Sequence, residues 1–393
     1  MKKIVLVINA GSSSIKFALF EFVAELSEKA CFSGQIDGIG TEKVQLVAKN
    51  QEGARIADKA LAGGKTNDHK NAFNELLTWF SEELKDIEIV AIGHRVVHGG
   101  QTYGKPIVLS EPDILALSTL SKLAPLHQPH NIGGIRALQE ILPNTPQVAC
   151  FDTAFHRTQA RIAQIYGLPR QLTNEGLTRY GFHGISYEYI ASVLGKHTAR
   201  ADSRVVVAHL GNGASMTSML GRRCVATTMG FSTLDGLLMG TRCGPIDPGV
   251  ILHLLENGMS VKELAHLLYK ESGLLGVSGL SQDMRTLVSS TEPDALEAVE
   301  LFCYRVAREL ASLSATIKGL DLLVFTGGIG ENSVQVRQRL SGMLRWQGVM
   351  IDEAANKTNQ TRISTPESAV EVLIIPTNEE LMIARHTQAL LKL

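Results

Sequence analysis

Ile4–Phe20 reads IVLVINAGSSSIKFALF, and Val205–Leu220 reads VVVAHLGNGASMTSML. Each is an apolar run, a cluster of Gly, Ser, Asn and Ala, and then a second run in which apolar and small polar residues alternate. The apolar run has the β-branched character of a strand, the cluster supplies turn residues, and the alternation is that of a second strand. Two hairpins of one pattern, about 200 residues apart in a chain of 393, point to a duplicated two-domain protein. Small residues in such turns let backbone N–H groups converge on an anion, so a hairpin from each half could grip one polyphosphate; with no ligand they are two structural hairpins.

Further short apolar runs lie at Ile89–Ile92, Gln147–Phe151, Leu322–Thr326 and Val372–Pro376. Together with Ile4–Ile8 and Val205–His209 they alternate with helix-period stretches, which argues for an α/β architecture. From Asn71 to Asp86 the spacing puts Phe73, Leu76, Leu77, Phe80 and Leu84 on one helical face. From Asp294 a longer helix repeats the stripe through Leu296, Val299, Phe302, Val306, Leu310, Leu313 and Ile317, with Gly319 as its stop.

A third glycine cluster follows the run Leu322–Thr326. Gly327-Gly328-Ile329-Gly330-Glu331-Asn332 reads as a flexible turn and Ser333 onward as a helix, an arrangement that can present a helix N-terminus to a phosphate. A dinucleotide fingerprint is the competing reading, but only about 60 residues remain, too few for a complete doubly wound domain. A GxxxxGK[ST] loop is absent from the whole sequence.

Hydrophobic residues make up 44% and charged residues 20%, ordinary values for a globular chain. Lys and Arg number 38 against 39 Asp and Glu, so no net basic field exists for nucleic acid or an anionic membrane surface. The five cysteines are far apart with no C-x-x-C pair, which fits a reduced, cytoplasmic setting. Met1-Lys2-Lys3 and the apolar residues after them read as a first strand, because Asn9 interrupts the run before it reaches the length of a leader core. No apolar stretch approaches the length of a membrane span. Eight of the twelve histidines fall in one third of the sequence, among them His94, His98, His127, His130, His156, His183 and His209, without the Cys or carboxylate spacing of a zinc site. Arg95, beside His94, and Arg242, within MGTRCGP, are candidate anion clamps, because a guanidinium presents a planar fork.

Asn9–Lys16 (NAGSSSIK), Gly93–Gly100 (GHRVVHGG), Phe151–His156 (FDTAFH), Arg179–Gly184 (RYGFHG), His209–Ser215 (HLGNGAS), Met239–Arg242 (MGTR), Phe325–Ser333 (FTGGIGENS) and Pro376–Ala384 (PTNEELMIA) occur in an order that resembles the acetate kinases, the acetokinase family of short-chain acyl kinases. The resemblance implies the duplicated actin-like phosphotransferase fold: two α/β lobes around a nucleotide cleft, in a homodimer. It divides the chain into residues 1–151 with 382–393, and 152–381 with the nucleotide site and the dimer interface. The implied reaction passes the γ-phosphoryl group of ATP to acetate, reversibly, with Mg²⁺ (or Mn²⁺), giving acetyl phosphate and ADP.

By the same resemblance Arg95, Asp152, His183 and Arg242 are the catalytic set, with Asp152 an organiser rather than a base. Arg95, Val97, Leu126, Phe182 and Thr233 are substrate-binding. Lys16, His209, Leu210, Gly211, Asn212, Gly213, Asp283, Met284, Arg285, Gly328, Ile329, Gly330, Glu331 and Asn332 are nucleotide-binding, and Asn9 and Glu379 are magnesium-associated. The sequence departs from the family pattern at Thr233, usually Pro, at Cys243-Gly244-Pro245, and at Gln128, His130 and Tyr187. These departures bear on acyl-chain preference and remove no catalytic group. A propionate or butyrate kinase would share that group set; an actin-like assembly protein would share the fold but have no use for Arg95, His183 and Arg242 together.

Overall fold

The computed structural model describes residues 1–22, 26–62, 68–84, 86–125 and 127–393. It divides into two units: Met1–Ala154 with Asn378–Leu393, and Phe155–Thr377.

In the first unit β1 (Lys2–Ala10) and β2 (Ser14–Phe22) form the hairpin read from the sequence, with Asn9 opposite Lys16. β3 (Phe32–Asp37), β4 (Lys43–Asn50) and β5 (Arg55–Ala62) extend that side antiparallel. On the other side β6 (Ile87–Val96) runs parallel to β1, and β8 (Gln147–Phe151) parallel to β6, with the two-residue β7 (Ile107–Val108) at the edge. The sheet order is β5-β4-β3-β2-β1-β6-β8-β7.

From Ile4 to Ile8 β1 is an unbroken apolar run because both its faces are covered there. Ile4, Leu6, Ile8 and Ala10 join Phe73, Leu76 and Phe80 of the helix His69–Glu83 in one core cluster. The helix Glu379–Leu391 also packs on β1 and β6. Gly93 permits this approach: a Cβ there would lie 2.6 Å from Ile383 Cγ2 and 2.5 Å from Thr387 Oγ1.

In the second unit β9 (Val205–Leu210), β10 (Ala214–Leu220) and β11 (Arg223–Thr227) form an antiparallel meander, and β12 (Leu322–Thr326) and β13 (Glu371–Ile374) add in parallel beyond β9. The order β11-β10-β9-β12-β13 repeats β3-β2-β1-β6-β8 strand for strand and direction for direction. The sequence repeat is therefore a repeat of architecture, the duplicated actin-like α/β fold.

Two expectations need correction. The helix Pro293–Thr316 buries Ala295, Val299, Phe302, Val306, Leu310 and Leu313, but Leu296 is 43% exposed; the small Ala295 takes the inward position at the first turn. The stretch Gly327–Asn332 is a short helix rather than a flexible turn, separated at Ser333 from the helix Val334–Leu344. Its start is held by the Glu331 carboxylate, which accepts from Gly327 N (2.8 Å) and offsets the weak helix propensity of glycine. Among the described residues no helix is long and apolar enough to cross a membrane.

Candidate active site

β1, β6 and β8 are parallel neighbours, so residues at or just past their C-terminal ends come to one edge of the sheet, where open α/β sheets carry their ligands. Asn9, Arg95 and Asp152 sit there. Arg95 Nε donates to Asp152 Oδ1 (3.0 Å) and Oδ2 (3.2 Å), and Nη2 to Oδ2 (2.6 Å). Both oxygens of this buried carboxylate are thus taken by one guanidinium fork. Glu379 opens the last helix behind the cap Asn378, whose side chain accepts from Leu381 N, and lies 3.8 Å from Arg95 Nε. Burial opposes the charge on Arg95, but Asp152 and then Glu379 outweigh it and push its pKa further up. Burial also pushes the Glu379 carboxyl up to about 7; Arg95 opposes that shift and the negative charge of Asp152 adds to it.

The strand end after β6 is fixed by two buried carboxamides that the sequence reading did not assign to this task. Asn131 Oδ1 accepts from Val97 N (3.0 Å) while its Nδ2 donates to Ala10 O (2.8 Å), tying β6 to β1. Gln128 Oε1 accepts from His98 N (3.2 Å) and its Nε2 donates to His98 O (3.1 Å). The available signal was two carboxamides three residues apart at the start of a helix that otherwise buries apolar residues. Val97 itself is buried. Leu126 lies outside the described residues.

In the second unit His183 caps the helix Gly184–Val193 with φ +57°, a left-handed conformation unusual for a residue with a side chain. Its ring stacks on that of His209 at 4.4 Å between centroids, and its Nδ1 is 2.8 Å from Ser215 Oγ. The neighbouring Phe182 is buried, and its carbonyl accepts from His156 Nε2 (2.9 Å).

Arg242 sits on a loop braced at several points. Gly240 N donates to Asn212 O (2.9 Å), and Leu274 N to Met239 O (2.8 Å). A Cβ at Gly240 would lie 1.7 Å from Asn212 Oδ1, so a larger residue there would displace the Asn212 carboxamide. Arg242 Nη1 donates to Thr233 O (3.0 Å), using a backbone group that the family's proline would also supply. The stretch holding Thr233 is tied down in turn: Arg179 Nη1 donates to Thr228 O (2.8 Å) and pairs with Asp235 (3.3 Å), and its guanidinium lies over the Tyr166 ring.

A cavity of about 900 Å³ in this unit is lined by Gly211 and Asn212 of the β9–β10 turn, Asp283, Met284 and Arg285, and Gly328, Ile329 and Asn332. Three separate stretches read as nucleotide-binding are therefore brought together. Asp283 caps the helix Met284–Val288 by accepting from Arg285 N (2.9 Å). His209, Leu210, Gly213, Gly330 and Glu331 do not line this cavity. Glu331 faces back to the strand end, accepting from Gly327 N and Thr377 N, and Gly330 O accepts from the buried Arg337 (2.8 Å). Lys16 lines a different cavity, in the first unit, with Lys49, Arg55, Asn378 and Glu380. Among the described residues no three His, Cys, Asp or Glu side chains gather as a metal cluster; the oxygen donors beside Arg95 are Asp152 and Glu379.

A duplicated actin-like fold, with a large cavity between backbone turns in one unit and a guanidinium–carboxylate cluster in the other, defines a nucleotide-dependent phosphotransferase. The family model described as "Acetokinase family" matches residues 4–385. An acetate kinase of Rhodopseudomonas palustris is 50% identical over 392 residues, covering 98% of each chain. Among solved structures, a propionate kinase from Francisella tularensis superposes with a TM-score of 0.91 at 39% identity, covering 99% of this chain and 100% of its own. The acetate kinase of Porphyromonas gingivalis gives 0.88 at 32%, with the same coverage. The chain belongs to the acetokinase family and is a kinase whose acceptor is a carboxyl group.

Proposed function

We infer that the chain catalyses the reversible, direct in-line transfer of the γ-phosphoryl group of ATP to acetate, giving acetyl phosphate and ADP. The observation that carries this reading is the Arg95–Asp152 pair: both carboxylate oxygens accept from one guanidinium, which fits Asp152 as an organiser of Arg95 rather than as a base. An alcohol acceptor would need a base. A short-chain carboxylate, with a pKa of about 4 to 5, is already ionised at neutral pH and needs none.

Catalysis then rests on positioning and charge neutralisation. Arg95, held by Asp152, binds the acetate carboxylate. Arg242 and His183 supply a cation and a hydrogen-bond donor to the phosphoryl group as it moves between two anionic oxygens. The cavity lined by Asp283–Arg285 and the glycine stretch takes the adenosine, with His209–Gly213 and Lys16 assigned to the phosphates. Val97, Leu126, Phe182 and Thr233 are assigned to the acyl group.

Asn9 and Glu379 would hold Mg²⁺. The residues present fit it: they are oxygen donors of the kind a hard cation takes, and the buried Glu379 carboxyl, pushed up by burial first, has the negative charge of Asp152 adding to that shift, so a cation there would favour its ionised form. When bound, the ion offsets charge on the phosphate oxygens.

A homodimer is supported by the helix Pro248–Glu256, none of whose residues is fully buried: Val250 and Leu252 are exposed and Ile251, Leu254 and Leu255 half-buried. None of the five cysteines is joined in a disulfide, which supports a cytoplasmic setting. The test is hydroxylamine trapping of acyl phosphate with ATP, Mg²⁺ and acetate, propionate or butyrate. Acetate should be the best acceptor, propionate measurable and butyrate poor; no acyl hydroxamate from any of them would overturn the reading.

A further inference from the structure

The imidazoles of His183 and His209 are stacked, and each presents Nδ1 to a serine hydroxyl: His183 to Ser215 Oγ (2.8 Å) and His209 to Ser186 Oγ (2.8 Å). Ser215 Oγ has a second partner, the phenol of Tyr187. Tyr187 is completely buried, with its ring edge-on to His156 at 5.6 Å and to His209 at 6.4 Å, so its oxygen is fixed in place.

A serine hydroxyl carries one proton. Phenol is the more acidic hydroxyl and the better donor, so Tyr187 Oη donates to Ser215 Oγ, and the Ser215 proton goes to His183 Nδ1. A neutral imidazole whose Nδ1 accepts carries its own proton on Nε2. Nε2 is also the ring nitrogen next to the β9–β10 turn: a Cβ on Gly213 would lie 3.4 Å from it.

We propose that Tyr187 is a positioning residue that, acting through Ser215, holds His183 as its Nε2–H tautomer and so turns a donor, rather than a lone pair, toward the hairpin turn. What that donor does rests on the phosphoryl-transfer reading above; the tautomer itself does not. With the proton on Nδ1, the Nε2 lone pair would face an anionic oxygen and repel it.

The test uses the full chain labelled with ¹⁵N at histidine. Long-range ¹H–¹⁵N correlation spectra are recorded at neutral pH, with His183 assigned from the signal lost in a His183→Gln variant. The wild type should show Nδ1 at the shift of an unprotonated nitrogen and Nε2 at that of a protonated one. Tyr187→Phe should largely reverse that pattern, moving Nδ1 toward the protonated shift and Nε2 toward the unprotonated one. It should also lower kcat about tenfold, the loss expected if the donor tautomer fell to about a tenth of the population, with KM for ATP and acetate within about twofold. A wild-type spectrum with the proton on Nδ1 would overturn the proposal, as would Tyr187→Phe with unchanged shifts and kcat. If Tyr187→Phe fails to fold, the wild-type spectrum decides alone. Acyl phosphate formation by the wild type reports on the reaction separately, so failure of either leaves the other standing.

Discussion

Replacing Asp152 by Asn keeps the shape of the side chain and removes its charge, which separates an organiser of Arg95 from a proton acceptor. The pair makes two well-formed charge-assisted hydrogen bonds, at 2.6 and 3.0 Å, with the carboxylate almost fully out of water. Such bonds contribute about 1.5–3 kcal/mol each, so Arg95 and Asp152 share roughly 3–6 kcal/mol of positioning. Asp152→Asn should therefore lower kcat/KM for acetate by about 10² or more, through a misplaced Arg95. Arg95→Ala should cost at least as much. Because the two act as a unit, the double variant should be scarcely worse than Arg95→Ala, a coupling of at least about 2 kcal/mol in transition-state free energy. The assay is hydroxamate formation under saturating ATP across the four proteins of the cycle. Additive losses, with coupling below about 0.5 kcal/mol, would refute the argument and give Asp152 an independent task.

Arg242→Ala should lower kcat by about 10²–10³ with little change in KM for ATP, and Arg242→Lys should recover only part of it; turnover above about a tenth of wild type in the Ala variant would withdraw the role. Val97→Ala should raise propionate use relative to acetate, by up to the roughly 1–3 kcal/mol that one methylene commands; an unchanged ratio of kcat/KM would remove Val97 from the pocket. Gly93→Ala should destabilise the first unit by about 1–3 kcal/mol, read by urea denaturation, since the helix bearing Ile383 and Thr387 has to move. Burial pushes His94, His98 and His156 each down to about 4 from an ordinary 6.5. The unfolded chain then binds more protons between those values, so stability is full above about 6.5 and falls as pH drops toward 4. His94→Gln should flatten that fall, and denaturation at pH 7.5 and 5 showing the same loss in the variant as in wild type would contradict it.

The fold was legible where both strand faces are buried, because β1, β6, β8, β9 and β12 announce themselves as apolar runs. β3, β4 and β5 were not: β4 buries Val44, Leu46 and Ala48 on one face, but Val47 breaks the apolar–polar alternation within its eight positions, and Phe32–Asp37 holds too few apolar residues to signal a strand. The glycine stretch after β12 misled because glycine disfavours helix, whereas the cap that overrides it is Glu331, visible only once its carboxylate meets Gly327 N. The resemblance named Arg95, Asp152 and Glu379 singly. Their grouping follows from the parallel register of β6 and β8 and from the last helix, and no local pattern encodes either. Asn131 carries no local signal for the same reason, since its task is to join two strand ends more than eighty residues apart in sequence.

The first unit is closed by a helix that belongs to the far end of the chain, Glu379–Leu391, while all of the second unit lies between the two parts of the first. During synthesis the strands from Lys2 to Phe151 therefore leave the ribosome without the helix that covers β1 and β6 and without Glu379. At about 5–20 residues per second the wait is roughly eleven to forty-six seconds. The uninterrupted second unit can complete its core first, and the partly bare first sheet is the stage at which a chaperone would find exposed apolar surface. A stop codon anywhere before Glu379 would remove an acidic group from the site and strand that sheet together.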